Sequence, residues 1–276
     1  MLLSTAVWLL ENSPLLRRLI WRWWYGRLAR QFTQRDWTFM NYGCVPEIGA
    51  EPLALSSTDE PDRTCIQLYQ QTVASVGLAG RDVVEVGSGR GGGASYLART
   101  QQPTRYIGVD FSPDAVAFCR TRHAGIANLE FLAGDAENLP LANASCDVVV
   151  NVESSHCYGE VGKFFREAVR VLRPGGHFAY TDFRHVAELE RLDATLATVA
   201  GWQLIERVDL TDRVLAALAA DEARKRQLID GIVPPRLRAL FGEFAGLSEG
   251  KIYQGFQRRE LLYCRWVFRK NPAPRH

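Results

Sequence analysis

The sequence predicts a doubly wound α/β fold: a mostly parallel seven-stranded sheet, with N-terminal helices and a helical insertion ahead of the last strand. Three observations predict it. Short apolar, β-branched runs (83–86, 106–109, 129–132, 146–152, 177–183) alternate with stretches of helical periodicity. The first run passes from an acid, Glu85, into a turn with five glycines in seven residues. The second and third runs also stop at acids, Asp110 and Asp135. A chain of 276 residues can bury one large core of this kind.

The expected elements follow in order. Val83-Val84-Glu85-Val86 is the first strand, and Gly87-Ser88-Gly89-Arg90-Gly91-Gly92-Gly93 is the turn after it. Such a turn brings a nucleotide-like ligand to a helix start, because side chains there would block close approach. Gly87, Gly89 and Gly92 satisfy G-x-G-x-x-G, on its own a weak dinucleotide signal. A turn that binds nothing is the plainer alternative, disfavoured because so many glycines weaken a helix start. Tyr106-Ile107-Gly108-Val109-Asp110 is the second strand, its acid 25 residues after Glu85. An acid there can accept both ribose hydroxyls, so Asp110 supports a ribose-bearing cofactor without choosing among them. Ser112-Pro113 then opens a helix with a capping hydroxyl and a proline at its first position. The third strand leads to Gly134-Asp135-Ala136, either an ordinary turn or a further cofactor contact.

The fourth strand, 146–152, runs into Glu153-Ser154-Ser155-His156-Cys157-Tyr158. Residues 164–172 have helical periodicity and stop at Arg173-Pro174-Gly175-Gly176. The fifth strand is 177–183, with Asp182 at its end; 186–199 reads as a helix, 202–210 as strand six and 260–268 as strand seven. About 45 residues separate the last two strands, long for a connection. Helices are expected there over 212–228 and 235–244, broken at Pro234-Pro235. A lid over the active site is the expected use, with Leu237, Leu240, Phe241 and Phe244 either lining a greasy pocket or forming the lid's own core.

Glu85-x-Gly87-x-Gly89-x-Gly91 resembles motif I of class I S-adenosylmethionine-dependent methyltransferases, and Val171-Leu172-Arg173-Pro174-Gly175-Gly176 resembles a further signature of that family. The likeness covers roughly residues 38–183. Within the family the chain resembles phthiotriol and phenolphthiotriol dimycocerosate O-methyltransferases of mycobacteria. That rests on Asp59-Glu60-Pro61, Gly91-Gly92-Gly93-Ala94-Ser95-Tyr96-Leu97, Gly134-Asp135-Ala136-Glu137-Asn138-Leu139-Pro140, and Asn151-Val152-Glu153 with Ser155-His156-Cys157-Tyr158. The resemblance implies S-adenosylmethionine as cofactor and no metal. It implies cofactor contacts from Tyr42, Glu85, Gly87, Ser88, Gly89, Asp110, Phe111, Asp135, Ala136 and Asn151, with Tyr42 closing over the ligand. Simple wedge packing is the alternative for Tyr42.

Methyl transfer needs nucleophile, carbon and sulfur held nearly in line, and such orientation supplies about 7–11 kcal/mol of barrier lowering. A hydroxyl nucleophile must also lose a proton, for which a positioned base adds about 10²–10⁴-fold. Candidates belong at the carboxyl ends of strands four and five: His156 and Asp182. Their segments resemble those of bacterial sugar O-methyltransferases, which implies a base and its partner. The alternatives are an orienting contact to the cofactor's methionine moiety for His156 and a helix N-cap for Asp182. His177 is expected to be structural and His123 a solvated helix-end charge.

Composition bounds the rest. With 47% apolar and 23% charged residues and a net charge of +2, nothing points to nucleic acid. Six cysteines lack paired metal spacing, so reduced thiols in a cytoplasmic protein are expected. The N-terminal apolar run lacks a basic start and a cleavage site, and is short for an anchor. Leu16, Leu19, Ile20, Trp23 and Trp24 form one helical stripe, and five of seven tryptophans precede residue 38. That face is expected to pack in cis, to hold a homo-oligomer together, or to lie on a membrane surface, the last being disfavoured. The expected division is an N-terminal helical segment (1–45), cofactor core (46–210), insertion (211–257) and final strand with a frayed tail (258–276). The expected acceptor is a bulky apolar small molecule, methylated at a hydroxyl oxygen. Alternatives are carbon methylation of a prenyl or other alkene chain, aided by aromatic faces, a nicotinamide-dependent reductase, disfavoured by Glu85 and Gly134-Asp135, and a non-catalytic cofactor scaffold.

Overall fold

Strands β1 (Asp82–Val86), β2 (Arg105–Asp110), β3 (Leu129–Ala133), β4 (Cys146–Val152) and β5 (Leu172–His185) pair in parallel in a computed structural model that describes residues 37–273. Strand β7 (Leu261–Lys270) lies antiparallel between β5 and β6 (Trp202–Asp209), giving the order β3-β2-β1-β4-β5-β7-β6. The expected class holds: seven strands, mostly parallel, flanked by helices. Because helices cover both faces, the central strands are continuous apolar runs rather than alternating ones. Val148, Val149 and Val150 are all fully buried.

Among the described residues two large hydrophobic cores flank the sheet, one per face, and a small third cluster gathers Val233 and Phe241. The first gathers α1 (Arg63–Val73), α2 (Gly92–Thr100) and α3 (Pro113–Arg122) through residues such as Leu68, Leu97 and Val116. The second gathers α4 (Val161–Val171) and α5 (Val186–Thr198) around Phe164, Phe165 and Leu192. There Phe178 stacks on Trp202 at 5.4 Å and Tyr180 on Trp266 at 4.9 Å. Each large apolar side chain so buried contributes about 1.5–3 kcal/mol relative to exposure. The order in which strands are added reverses between the parallel neighbours β1 and β4, and this switch opens a crevice at their carboxyl ends.

Several expected boundaries shift. Strand β5 starts at Leu172, not 177: the Pro174-Gly175 stop ends α4, but pairing with β4 resumes through a register shift between Cys146 and Val148. Gly175 takes φ +80° there. The strand also continues to His185, so Asp182 lies inside it, and His185 rather than Asp182 is the N-cap of α5. Ser112 caps α3 as expected, its hydroxyl accepting from Ala115 N at 3.3 Å. His123 departs from expectation: it is 8% exposed, packs on Phe131, meets the Arg90 carbonyl at 3.1 Å, and burial lowers its pKa.

The insertion holds α6 (Thr211–Ile232), α7 (Pro235–Ala245) and α8 (Lys251–Gln257), with the break at Pro234. Helix α6 runs four residues beyond the expected 228, and α8 was not expected because seven residues show no clear period. The N-terminal stripe, its oligomer and membrane fates, and the last residues of the tail lie outside the described residues. Among the described residues no helix is long and apolar enough to cross a membrane.

Candidate active site

The turn after β1 is shaped by backbone conformations that favour glycine. Gly87, Gly89 and Gly91 have φ of 77°, 55° and 76°. A Cβ on Gly87 would collide with Ser154 from the β4 loop. The amides of Gly87 and Ser88 both donate to the Val109 carbonyl, at 2.8 and 3.1 Å, fastening the turn to β2. Asp110, at the end of β2, accepts from Gly89 N at 2.8 Å and Ser112 N at 2.9 Å, one amide on each oxygen. Burial lifts its pKa to about 6 against those two amides. Each oxygen keeps lone-pair capacity for a ribose hydroxyl.

Gly87, Ser88, Gly89, Asp110, Phe111, Asp135 and Ala136 line one cleft. Seven of the residues expected to contact the cofactor are thus brought together. Asp135 uses one oxygen to accept from Glu137 N at 3.0 Å, which fixes the turn at the cleft edge. Three expected contacts stand elsewhere. Glu85 is wholly buried beneath the turn: Tyr69 and Tyr106 donate to its two oxygens at 2.7 and 2.8 Å, and burial lifts its pKa to about 7. It therefore braces the turn from below rather than facing the cleft. Asn151 is also buried, with Nδ2 within 2.8 Å of the Val86 carbonyl and of Ser154 Oγ, tying β4 to β1. Tyr42 packs on Phe183 at 5.3 Å and lines a second cavity instead.

That second cavity is mostly apolar. Phe241 and Phe244 of α7 and Leu228 and Ile229 of α6 form one side, with Asp62, Arg224 and Lys225 supplying the polar groups. Trp37, Phe39, Met40 and Asn41 line both cavities.

His156 and Asp182 do meet. The His156 Nδ1 lies 2.9 Å from Asp182 Oδ1, and Asp182 Oδ2 accepts from Ser155 Oγ at 2.6 Å and His156 N at 3.1 Å. Arg184 completes the cluster at 3.1 Å from Asp182. Burial opposes the Asp182 charge, but Arg184 and His156 outweigh it and hold the carboxyl well below its usual range. Burial likewise opposes charging His156, yet Cys157 and Asp182 outweigh it and lift the ring to about 10. The helix-cap alternative for Asp182 is thus excluded. His156 packs on Phe183 at 4.8 Å and lines neither cavity.

One cleft residue lies in a motif that carries the resemblance but has no role assigned from the sequence. Glu153, just past β4, has φ +51° and one buried oxygen with no hydrogen-bond partner among the described residues. Its other oxygen accepts from Tyr42 N at 2.8 Å. Among the described residues no group of three His, Cys, Asp or Glu side chains is placed to hold a metal.

A glycine cradle, a ribose-competent acid, a third-strand acid and a buried Ser88 Oγ with no partner among the described residues suit an adenosyl cofactor. Fold and cleft together define a class I S-adenosylmethionine-dependent methyltransferase. A methyltransferase-domain family model matches residues 84–180. A phthiotriol/phenolphthiotriol dimycocerosates methyltransferase of Mycobacterium leprae (strain TN) is 38% identical over 94% of this chain and 95% of its own. A fatty-acid O-methyltransferase of Mycolicibacterium smegmatis (strain ATCC 700084 / mc(2)155) is 41% identical over 78% and 77%. A geranyl diphosphate C-methyltransferase of Streptomyces coelicolor A3(2), solved with S-adenosyl-L-homocysteine, superposes with a TM-score of 0.63 at 15% identity, covering 92% of this chain and 97% of that one. This chain belongs to the S-adenosylmethionine-dependent methyltransferase family that includes the two mycobacterial enzymes. Its cofactor is S-adenosylmethionine, which decides between the two readings of the glycine turn.

Proposed function

We propose that the protein transfers a methyl group to a hydroxyl oxygen of a bulky, lipid-like acceptor. One observation carries this reading: an apolar cavity adjoins the cofactor cleft and shares Trp37, Phe39, Met40 and Asn41 with it. An aliphatic body lodged between α6 and α7 would present its polar end at that shared wall. The printed names of the two mycobacterial relatives, one acting on phthiotriol lipids and one on fatty acids, support the acceptor class. In this reading α6, α7 and α8 are the lid.

S-adenosylmethionine supplies a methyl group already activated on a sulfonium. The protein's part is alignment, exclusion of water and a destination for the hydroxyl proton. The sequence points to His156, oriented by Asp182, as that destination, but with its pKa lifted to about 10 the ring is charged at neutral pH and it lines neither cavity, so it serves as a cation beside the site rather than as the base. Carbon methylation of an alkene chain is the second reading, favoured by the rings of Trp37, Phe39, Phe241 and Phe244 around the second cavity, which could face a developing cation. Incubating the protein with methyl-labelled cofactor and a lipid extract tests the choice. A labelled methyl ether supports the oxygen reading, and label on a chain carbon overturns it.

A further inference from the structure

Glu153 occupies a backbone conformation that glycine or asparagine would adopt at less cost. Its φ is +51°, in the left-handed region, while its amide stays tied to the Thr181 carbonyl at 2.9 Å. Strain of this kind concentrates at ligand-handling positions, and a glutamate is kept here only if its side chain is needed. One need is met inside the fold: Oε2 accepts from Tyr42 N at 2.8 Å. The other oxygen, Oε1, is enclosed and finds no hydrogen-bond partner among the described residues. Glu153 stands on the wall of the cofactor cleft between Val152 and Ser154, where Met40 and Asn41 join that cleft to the second cavity. A buried acceptor atom left unmet in a native fold calls for a ligand that donates to it. At this junction the donor that the oxygen-methylation reading supplies is the acceptor's hydroxyl.

We propose that Glu153 Oε1 binds the hydroxyl of the acceptor and takes its proton during methyl transfer. The proposal rests on the oxygen-methylation reading and adds to it a catalytic residue that contacts the acceptor. The step balances. The acceptor oxygen forms its bond to the methyl carbon while the carbon–sulfur bond breaks with its electron pair staying on sulfur. The hydroxyl proton passes to the Glu153 carboxylate and from there to solvent on product release.

His156 does not line this cleft, so Glu153 is the nearer group to the acceptor's oxygen. The groups facing Glu153 are Tyr42 before α1, Tyr69 on α1, His156 after β4, Asp182 on β5, Lys225 on α6 and Tyr263 on β7. Burial lifts the Glu153 pKa to about 8, Asp182 pushes the same way, and His156, the Tyr42 amide and Lys225 oppose. A base of that strength is matched to work near neutral pH. The His156 imidazolium, whose charge Cys157 and Asp182 favour, then acts from behind by keeping Glu153 acidic enough to ionise.

The test compares wild type with Glu153→Gln and Glu153→Asp, using methyl-labelled cofactor pre-bound and a lipid extract as acceptor, in single turnover. Glutamine keeps an oxygen for the Tyr42 amide but cannot take a proton. The expected result is a first-turnover rate about 100-fold lower or worse in Glu153→Gln, with the rise in rate through pH 8 abolished, and partial recovery in Glu153→Asp. Affinity for S-adenosylhomocysteine by calorimetry should stay within about threefold, a change of about 0.7 kcal/mol. Independently of turnover, infrared difference spectra should show a protonated-carboxyl band that titrates near pH 8 in wild type and is missing from Glu153→Gln. An unchanged rate and pH profile in Glu153→Gln would overturn the proposal. So would an unchanged infrared band, or a loss confined to S-adenosylhomocysteine affinity, which would assign Oε1 to the cofactor's ammonium. Label on carbon in the wild-type product defeats the oxygen reading itself, and is read separately from the variants.

Discussion

His156 Nδ1 and Asp182 Oδ1 lie 2.9 Å apart, joining the loop after β4 to the interior of β5 across 26 residues of sequence. The contact does two things. It fixes the imidazole's orientation against Phe183 and, together with Cys157, favours the charged ring in the free protein. Asp182 also accepts from Ser155 Oγ, so the pair is part of a network centred on a fully buried carboxylate rather than an isolated ion pair. Networks of this kind behave as units when one member is removed.

Asp182→Asn tests the unit. An amide cannot hold the positive ring, so the His156 pKa should fall toward the ordinary histidine range, seen directly in an NMR titration of the ring. The first-turnover rate should drop about 10²-fold or more at neutral pH if the pair assists proton transfer. A rate equal to wild type would remove both residues from the chemistry.

Asp110→Ala should weaken S-adenosylhomocysteine binding at least tenfold, about 1.4 kcal/mol, since Asp110 is the cleft acid with lone pairs left after binding Gly89 and Ser112. Calorimetry measures it. The same variant also frees the Gly89 amide, so a loss in affinity together with an unchanged melting temperature would locate the effect in the ligand.

Glu85→Gln concerns stability. A buried carboxyl whose folded pKa, about 7, exceeds its unfolded value favours the folded state at low pH, and that contribution is lost as pH rises through 7. Wild type should therefore melt lower at pH 8 than at pH 6 on this account, and Glu85→Gln should flatten the difference. Each kcal/mol corresponds to about 2–4 °C for a chain of this size. A steeper pH dependence in the variant would show that the Tyr69 and Tyr106 hydroxyls sustain the charge better than burial opposes it.

Phe241→Ala in α7 should raise KM for a lipid acceptor while leaving cofactor affinity within a few-fold, because Phe241 lines the second cavity but not the cofactor cleft. Equal losses for both ligands would mean that α7 supports the fold rather than the acceptor.

The apolar stripe of Leu16, Leu19, Ile20, Trp23 and Trp24 predicts a homo-oligomer that deletion of residues 1–30 dissociates. Light scattering after size exclusion decides it, and a monomeric full-length chain would return the stripe to packing in cis or to a membrane surface.

Much of the fold was legible because parallel strands covered on both faces are written as unbroken valine runs, as in Val148-Val149-Val150. The cleft was legible where backbone geometry dictates residue type, at Gly87 and Gly89 and at the strand-end acid Asp110. Glu85 was placed on the wrong side because motif spacing does not say which face a strand residue takes. Strand parity does: Val84 and Val86 enter the second core, so Glu85 must point with Val83 toward the first, where Tyr69 and Tyr106 wait. Glu153, though part of a quoted motif, received no role for a different reason. Its importance comes from a left-handed backbone and an unmet oxygen, neither of which leaves a pattern in composition or period. Helix α8 and the early start of β5 depend on tertiary pairing and had no local signal.

Trp37, Phe39, Met40 and Asn41 face both cavities. Neither cavity can then change shape on its own at that boundary. A substitution that widens the acceptor side also thins the partition against the cofactor, so a lineage exploring new acceptors would be penalised there through its methyl donor. The freedom to diversify lies instead on α6 and α7, where Leu228, Phe241 and Phe244 border the acceptor side alone. Differences in acceptor choice among relatives should accumulate in the stretch between β6 and β7, while the partition stays nearly fixed.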